Sequence, residues 1–135
     1  MTDCADAAPA GRALVQFGMV GVLNTAIDCA VFAALVAAGA APAVASAAGF
    51  LSGAANSLVM NRRFAFTGSA VSLTAPATLA RFALVTAATL AISQTVFVAM
   101  EAAGGMPWAA KAASILAAFL CGFHLNRHFV YRTGA

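Results

Sequence analysis

Asn61-Arg62-Arg63-Phe64-Ala65-Phe66 returns, without a gap, 65 residues later as Asn126-Arg127-His128-Phe129-Val130-Tyr131. The same offset lays Phe17 on Phe82, Val20 on Val85, Ile27 on Ile92, Phe32 on Phe97, Gly39 on Gly104 and Pro42 on Pro107. Alanine-rich sequence inflates chance identity, but matched Phe, Pro, Gly and Asn-Arg positions are costlier to obtain by accident. The chain therefore reads as one unit written twice, repeat one over 16–66 and repeat two over 81–131, with a connector at 67–80. Whatever the first copy builds, the second must build again.

Composition says what that is. The 135 residues are 63% hydrophobic and 8% charged, against roughly 25% charged in a soluble domain. Apolar stretches at about 13–37, 43–61, 80–100 and 109–126 each approach the roughly 20 residues that cross a hydrocarbon core about 30 Å thick. Backbone amides in lipid must be satisfied internally, and long apolar runs without alternating polarity do so as helices. The expectation is an all-α membrane protein with four transmembrane helices over 13–132, preceded by a tail at 1–12. A cleaved signal peptide is a poorer reading of the first stretch, which exceeds the roughly 7–15 residues of a signal core and contains Asp28.

Charge placement predicts orientation. Arg12, Arg62, Arg63, Arg81, Arg127 and Arg132 gather on one side, while the other has Lys111, opposed by Glu101. Lys and Arg accumulate in cytoplasmic loops. Both termini and the connector are thus expected to be cytoplasmic, with short outer turns at Gly39–Pro42 and Gly104–Pro107. Each copy is then a helical hairpin, and the two enter the membrane in the same direction as parallel repeats.

The net charge of +3 is used up by this topology, leaving no aromatic-interleaved basic surface for a nucleic acid. Cys4, Cys29 and Cys121 lack metal-ligand spacing, and Cys29 and Cys121 read as small packing residues inside helices. With no nucleophile-base pair, paired carboxylates or ligand cluster in view, neither an enzyme nor a cofactor is expected.

Polar residues inside the bilayer are the informative ones. Phe17, Gly21, Asn24 and Asp28 share one face of the first helix. Asp28 lies about four turns from the cytoplasmic end, where a lone carboxylate costs on the order of 2.5–3.5 kcal/mol. It needs a partner, a proton or water, and serves either to lock packing or to line a substrate or proton path. Ala45, Gly49, Gly53 and Ser57 recur every four residues and make a close-packing face, for use within the bundle or in a homo-oligomer. Asn56 sits beside it, and the repeat replaces Asn24, Asp28 and Asn56 by Thr89, Ser93 and Cys121. Copy two adds Gln94 and His124, as groove or packing groups. The polar groove so read consists of Asn24, Asp28, Asn56 and Gln94.

The repeated Asn-Arg element admits an interfacial-anchor reading, with Arg at the headgroups and aromatics in the belt. Conservation of residue order between copies favours more. Asn61, Arg62, Arg63, Asn126, Arg127 and His128, gathered by a pseudo-two-fold axis, would form a donor-rich rim suited to a phosphate or lipid headgroup.

Taken together, Phe17-x-x-Val20-Gly21-x-x-Asn24-Thr25-x-x-Asp28, Asn61-Arg62-x-Phe64-x-Phe66, Arg81-Phe82, Lys111 and Asn126-Arg127-x-Phe129-x-Tyr131 resemble the GtrA-like family of small four-helix bacterial membrane proteins. The chain departs from that family's frequent pattern at Ser57-Leu58, Gly122-Phe123, Phe64 and Phe129. The resemblance implies a flippase in the bacterial inner membrane that moves polyprenyl-phosphate-linked sugars outward for cell-surface polysaccharide or glycolipid synthesis. Its implied partners are the lipid-linked sugar, membrane lipids and a separate membrane glycosyltransferase. Two alternatives stay open: a non-transporting scaffold for that glycosyltransferase, docking by the Gly49–Gly53 face, and a small multidrug exporter using Asp28. Reporter fusions at both termini and within the connector are expected to read cytoplasmic, and an outward reading at any of the three would overturn the charge argument.

Overall fold

The computed structural model describes residues 7–60 and 76–129. They form four α-helices: α1 (Ala7–Ala37), α2 (Pro42–Met60), α3 (Pro76–Ala102) and α4 (Pro107–Phe129). No strand occurs among the described residues. Three of the four helices open on a proline, whose missing N–H falls where a helix has no use for it. Two begin earlier than the apolar stretches indicate, at Ala7 and Pro76. Alanine is the best helix former and continues each helix beyond its apolar run, and Pro9 lies in the first turn, where proline is tolerated. Residues 76–80, expected in the connector, are therefore helical.

Gly18–Ala37, Pro42–Met60 and Leu79–Ala102 are long and apolar enough to cross a membrane. The fourth helix is apolar over a shorter run, Pro107–Gly122. His124, Arg127 and His128 follow that run, although the helix continues to 23 residues, about 35 Å at 1.5 Å per residue. The all-helical membrane architecture thus holds, with one span less apolar than the other three.

Duplication is visible bond by bond. In the first turn the Gly39 N–H donates to the Val36 carbonyl at 3.0 Å and the Ala40 N–H to Leu35 at 2.9 Å; in the second, Gly104 donates to Glu101 and Gly105 to Met100, both at 2.9 Å. These are two Schellman caps, each satisfying carbonyls that a helix end leaves unpaired. They require left-handed backbone, and Gly39 and Gly104 have φ of 88° and 83°.

The first hairpin packs α1 on α2, the second α3 on α4, and α2 and α3 make contact between them. At the centre lie Phe32, Ala45, Phe97 and Ala110, all fully buried. They are two pairs of repeat-equivalent residues. The Phe32 and Phe97 rings meet edge to face, centroids 5.9 Å apart. Ser46 and Lys111, again 65 apart, also touch. When equivalent residues touch, the symmetry axis passes between them. Both contacts therefore lie on the axis that relates the two hairpins.

Burial is concentrated toward the turns. Among the described residues, α2 buries none beyond Gly53, α3 none before Thr89 and α4 none beyond Ser114. Along α1, Gly18 and Gly21 have no heavy atom within 4 Å of a Cβ position. The helices are tightly joined at the turn end and less covered toward the termini.

Gly39→Ala and Gly104→Ala are each expected to cost about 1 kcal/mol, the order of the penalty for an L side chain in left-handed backbone. The two losses should add, since the caps share no hydrogen bond. Reversible unfolding of the purified protein in detergent measures both, and unchanged stability would show that the caps contribute nothing.

Candidate functional site

Asn24 and Asp28 stand one turn apart on α1, and Gly53 and Gly49 of α2 lie directly against them. A Cβ on Gly53 would sit 2.8 Å from the Asn24 carbonyl oxygen. One on Gly49 would sit 2.6 Å from the Asp28 carbonyl oxygen and run into its carboxylate. No side chain fits at either glycine without displacing α1. The close approach lets the Asn56 Nδ2 donate to Asn24 Oδ1 at 2.7 Å, tying α1 to α2 through a side-chain pair.

One turn further, α4 contributes the partner of Asp28. The Lys111 Nζ lies 2.5 Å from Asp28 Oδ1, with side-chain exposures of 1% and 9%. Lys111 also donates to the Ser46 carbonyl and Oγ, each at 3.4 Å. Its ammonium stands 5.4 Å from the centroid of Phe32, within range of a cation–π attraction. Ser114 Oγ donates to the Lys111 carbonyl at 2.8 Å. Toward the turns the site is closed by aromatic rings, Phe32 against Phe97 and Trp108 against Phe32 at 5.2 Å and 87°.

Burying two charges costs several kcal/mol per ion before their mutual attraction is counted, and the attraction balances that only with good geometry and further hydrogen bonds. Here the additional bonds are at the long limit. The stability of the pair therefore rests chiefly on the direct contact between the Lys111 ammonium and the Asp28 carboxylate.

The groove residues are thus brought together unequally. Asn24, Asn56 and Asp28 form one polar column between α1 and α2. Gln94 of α3 is half-buried, and its Nε2 has no hydrogen-bond partner; it does not join the column. His124 is exposed on α4. Of the expected rim, Asn126, Arg127 and His128 belong to the last turn of α4, with side chains outside the described residues, and Asn61, Arg62 and Arg63 lie wholly outside them. Phe17 is in α1, its side chain likewise undescribed.

Lys111 is the site residue that sequence reasoning misplaced. Counted as an outer-surface charge opposed by Glu101, it is instead buried and opposed by Asp28. One signal pointed there: the repeat offset lays Lys111 on Ser46, beside the small-residue face of α2. Two functional alternatives change as a result. The Gly49–Gly53 face is covered by α1, so a docking partner would have to use another surface. Asp28, the membrane carboxylate that the exporter reading invoked, is paired with a lysine.

Residues 16–131 match a family model described as GtrA/DPMS, transmembrane domain. No curated protein and no solved structure matches the chain.

Lys111→Met is expected to lower stability by about 3 kcal/mol or more, because it strands a buried carboxylate. Asp28→Asn combined with Lys111→Met should recover most of that loss. Thermal unfolding of the three proteins in one detergent tests the coupling, and a double variant no more stable than Lys111→Met would show that the two charges act independently.

Proposed function

Since the chain belongs to the GtrA/DPMS transmembrane family, a family of generally non-catalytic membrane proteins concerned with polyprenyl-phosphate sugars, we propose that it carries polyprenyl-phosphate-linked sugars across the bacterial inner membrane. The observation that supports transport most directly is the interior polar column. A bundle serving only as an anchor has no need of a buried ion pair and a half-buried asparagine pair between its helices, where each polar group is costly unless used.

In this reading the headgroup is captured at the cytoplasmic rim. Arg62, Arg63 and Arg127 offer guanidinium forks that match phosphate oxygens in pairs, with Asn61, Asn126 and His128 as further donors. The polyprenyl tail stays in lipid, being as apolar as the helix surfaces it slides along. The sugar hydroxyls exchange water for Asn24, Asn56 and the groups around Asp28, and the two halves of the molecule share the phosphate while the first supplies most of the sugar path.

A scaffold for a membrane glycosyltransferase is the second reading, and a different surface favours it. Val15, Gly18, Met19, Val22 and Ala26 line an open apolar groove on α1, available to another helix once the Gly49–Gly53 face is taken.

Replacing Arg62 and Arg127 together by Ala is expected to cut translocation of a polyprenyl-phosphate-linked sugar in proteoliposomes by at least about tenfold, since a hydrogen bond to a charged group contributes roughly 1.5–3 kcal/mol. Unchanged translocation would reject the rim as the capture site. Wild-type protein that moves no lipid while still binding a glycosyltransferase would establish the scaffold instead.

A further inference from the structure

Among the described residues, the oxygens around the Lys111 ammonium are those of the Asp28 carboxylate, in direct contact, and of Ser46, through two bonds of 3.4 Å. Lys111 is one of the most completely buried side chains described, at 1% exposure. A lysine so placed is an anion site with an anion of the protein's own already in it. We propose that Lys111 is an interior binding site for the phosphodiester of a lipid-linked sugar, which enters by taking the place of the Asp28 carboxylate while Asp28 takes up one proton. This rests on the carrier reading given above and adds a second station, inside the bundle, to the cytoplasmic rim.

Charge balance carries the argument. An ammonium and a carboxylate in contact are together neutral, which is the only state that a low-dielectric interior holds cheaply. A polyprenyl-phosphate-linked sugar has a phosphodiester with a single negative charge. If it paired with Lys111 while Asp28 stayed ionised, the site would carry a net charge of minus one. If Asp28 gains a proton from solvent, one O–H bond forms, no other bond changes, and the site remains neutral with the ligand in place. Protonated Asp28 also becomes a hydrogen-bond donor, able to hold a phosphate or sugar oxygen that its ionised form would repel.

The surroundings fit this exchange. Lys111 is the charged group that faces Asp28 from α4. Helix α2 has no titratable residue, and those of α3, Arg81 and Glu101, lie near its two ends. From α1 itself the nearest titratable neighbour is the thiol of Cys29. Further along α4, Cys121 and His124 lie ten and thirteen residues beyond Lys111, with His124 exposed, so among the described side chains Asp28 is the carboxylate placed to supply the balancing charge. Ser46 and Ser114 flank Lys111 with hydroxyls, groups that serve as well around a phosphate as around a carboxylate. The aromatic layer of Phe32, Phe97 and Trp108 closes the turn side, whereas burial thins toward the termini, so the ligand would reach Lys111 from the same side as the rim.

The test is calorimetry of a ten-carbon isoprenoid phosphodiester of glucose binding to the wild-type protein in nanodiscs, at pH 7.5, in two buffers of different ionisation enthalpy. The difference gives the protons taken up, expected to be about one per lipid. Asp28→Asn should bind with none, Asp28→Glu should retain uptake, and Asp28→Asn combined with Lys111→Met should bind at least tenfold more weakly than Asp28→Asn alone. Because Asp28→Asn strands a buried cation and can fail to fold, infrared difference spectra of the wild type supply an independent readout, with a protonated carboxyl band growing on lipid addition. Binding without proton uptake, or uptake undiminished in folded Asp28→Asn, would overturn the interior site and leave rim capture standing. Absence of both binding and translocation in the wild type would remove the carrier reading together with it.

Discussion

A lysine and an aspartate buried against each other in an apolar bundle constrain everything around them. Neither charge is tolerable alone, so α1 and α4, which belong to different hairpins, are held in one register by the need to keep Asp28 and Lys111 together. Gly49 is small because the Asp28 backbone and carboxylate occupy the space a side chain would need. Phe32 presents its ring to the ammonium and its edge contacts to the aromatic layer above. The packing of the closed half of the bundle is arranged about this pair.

Around that asymmetric centre the scaffold is symmetric. The two Schellman caps repeat bond for bond, the core is two pairs of equivalent residues, and Phe32 meets Phe97 across the axis. Symmetry survives where the demand is geometric, at the turns and in the apolar core. It has been lost where the demand is chemical: Asp28 faces a future different from Ser93, Lys111 from Ser46, and the Asn24–Asn56 pair from Thr89 and Cys121. The duplicated framework thus encloses one polar centre rather than two.

Much of this was legible in the residues. Hydropathy and the 65-residue offset predicted helix number, hairpin pairing and the positions of both turns, because those follow from local composition and from glycines that only one backbone conformation explains. Asp28 was recognisable as needing a partner, and Asn56 as able to bond across the Gly49–Gly53 face. The partner itself was not legible, because a lysine one turn inside a helix looks the same in sequence whether its flexible stem turns outward to headgroups or inward to a carboxylate. Tertiary packing makes that choice. The early starts of α1 and α3 were missed for a simpler reason: hydropathy marks where a helix meets lipid, not where its hydrogen bonds begin.

The partition of the two charges between the copies has a consequence for how such a molecule arises and stays together. Two copies of the second hairpin would bring two Lys111 ammonium groups to the axis, where Lys111 and Ser46 now touch, and like charges there would drive them apart. Two copies of the first would set Ser46 against Ser46 at the axis and leave each Asp28 without the Lys111 cation. Neither half can stand in for the other. With the acid in one copy and the base in the other, the halves are no longer interchangeable, and each charge finds its counterion only when the two hairpins meet.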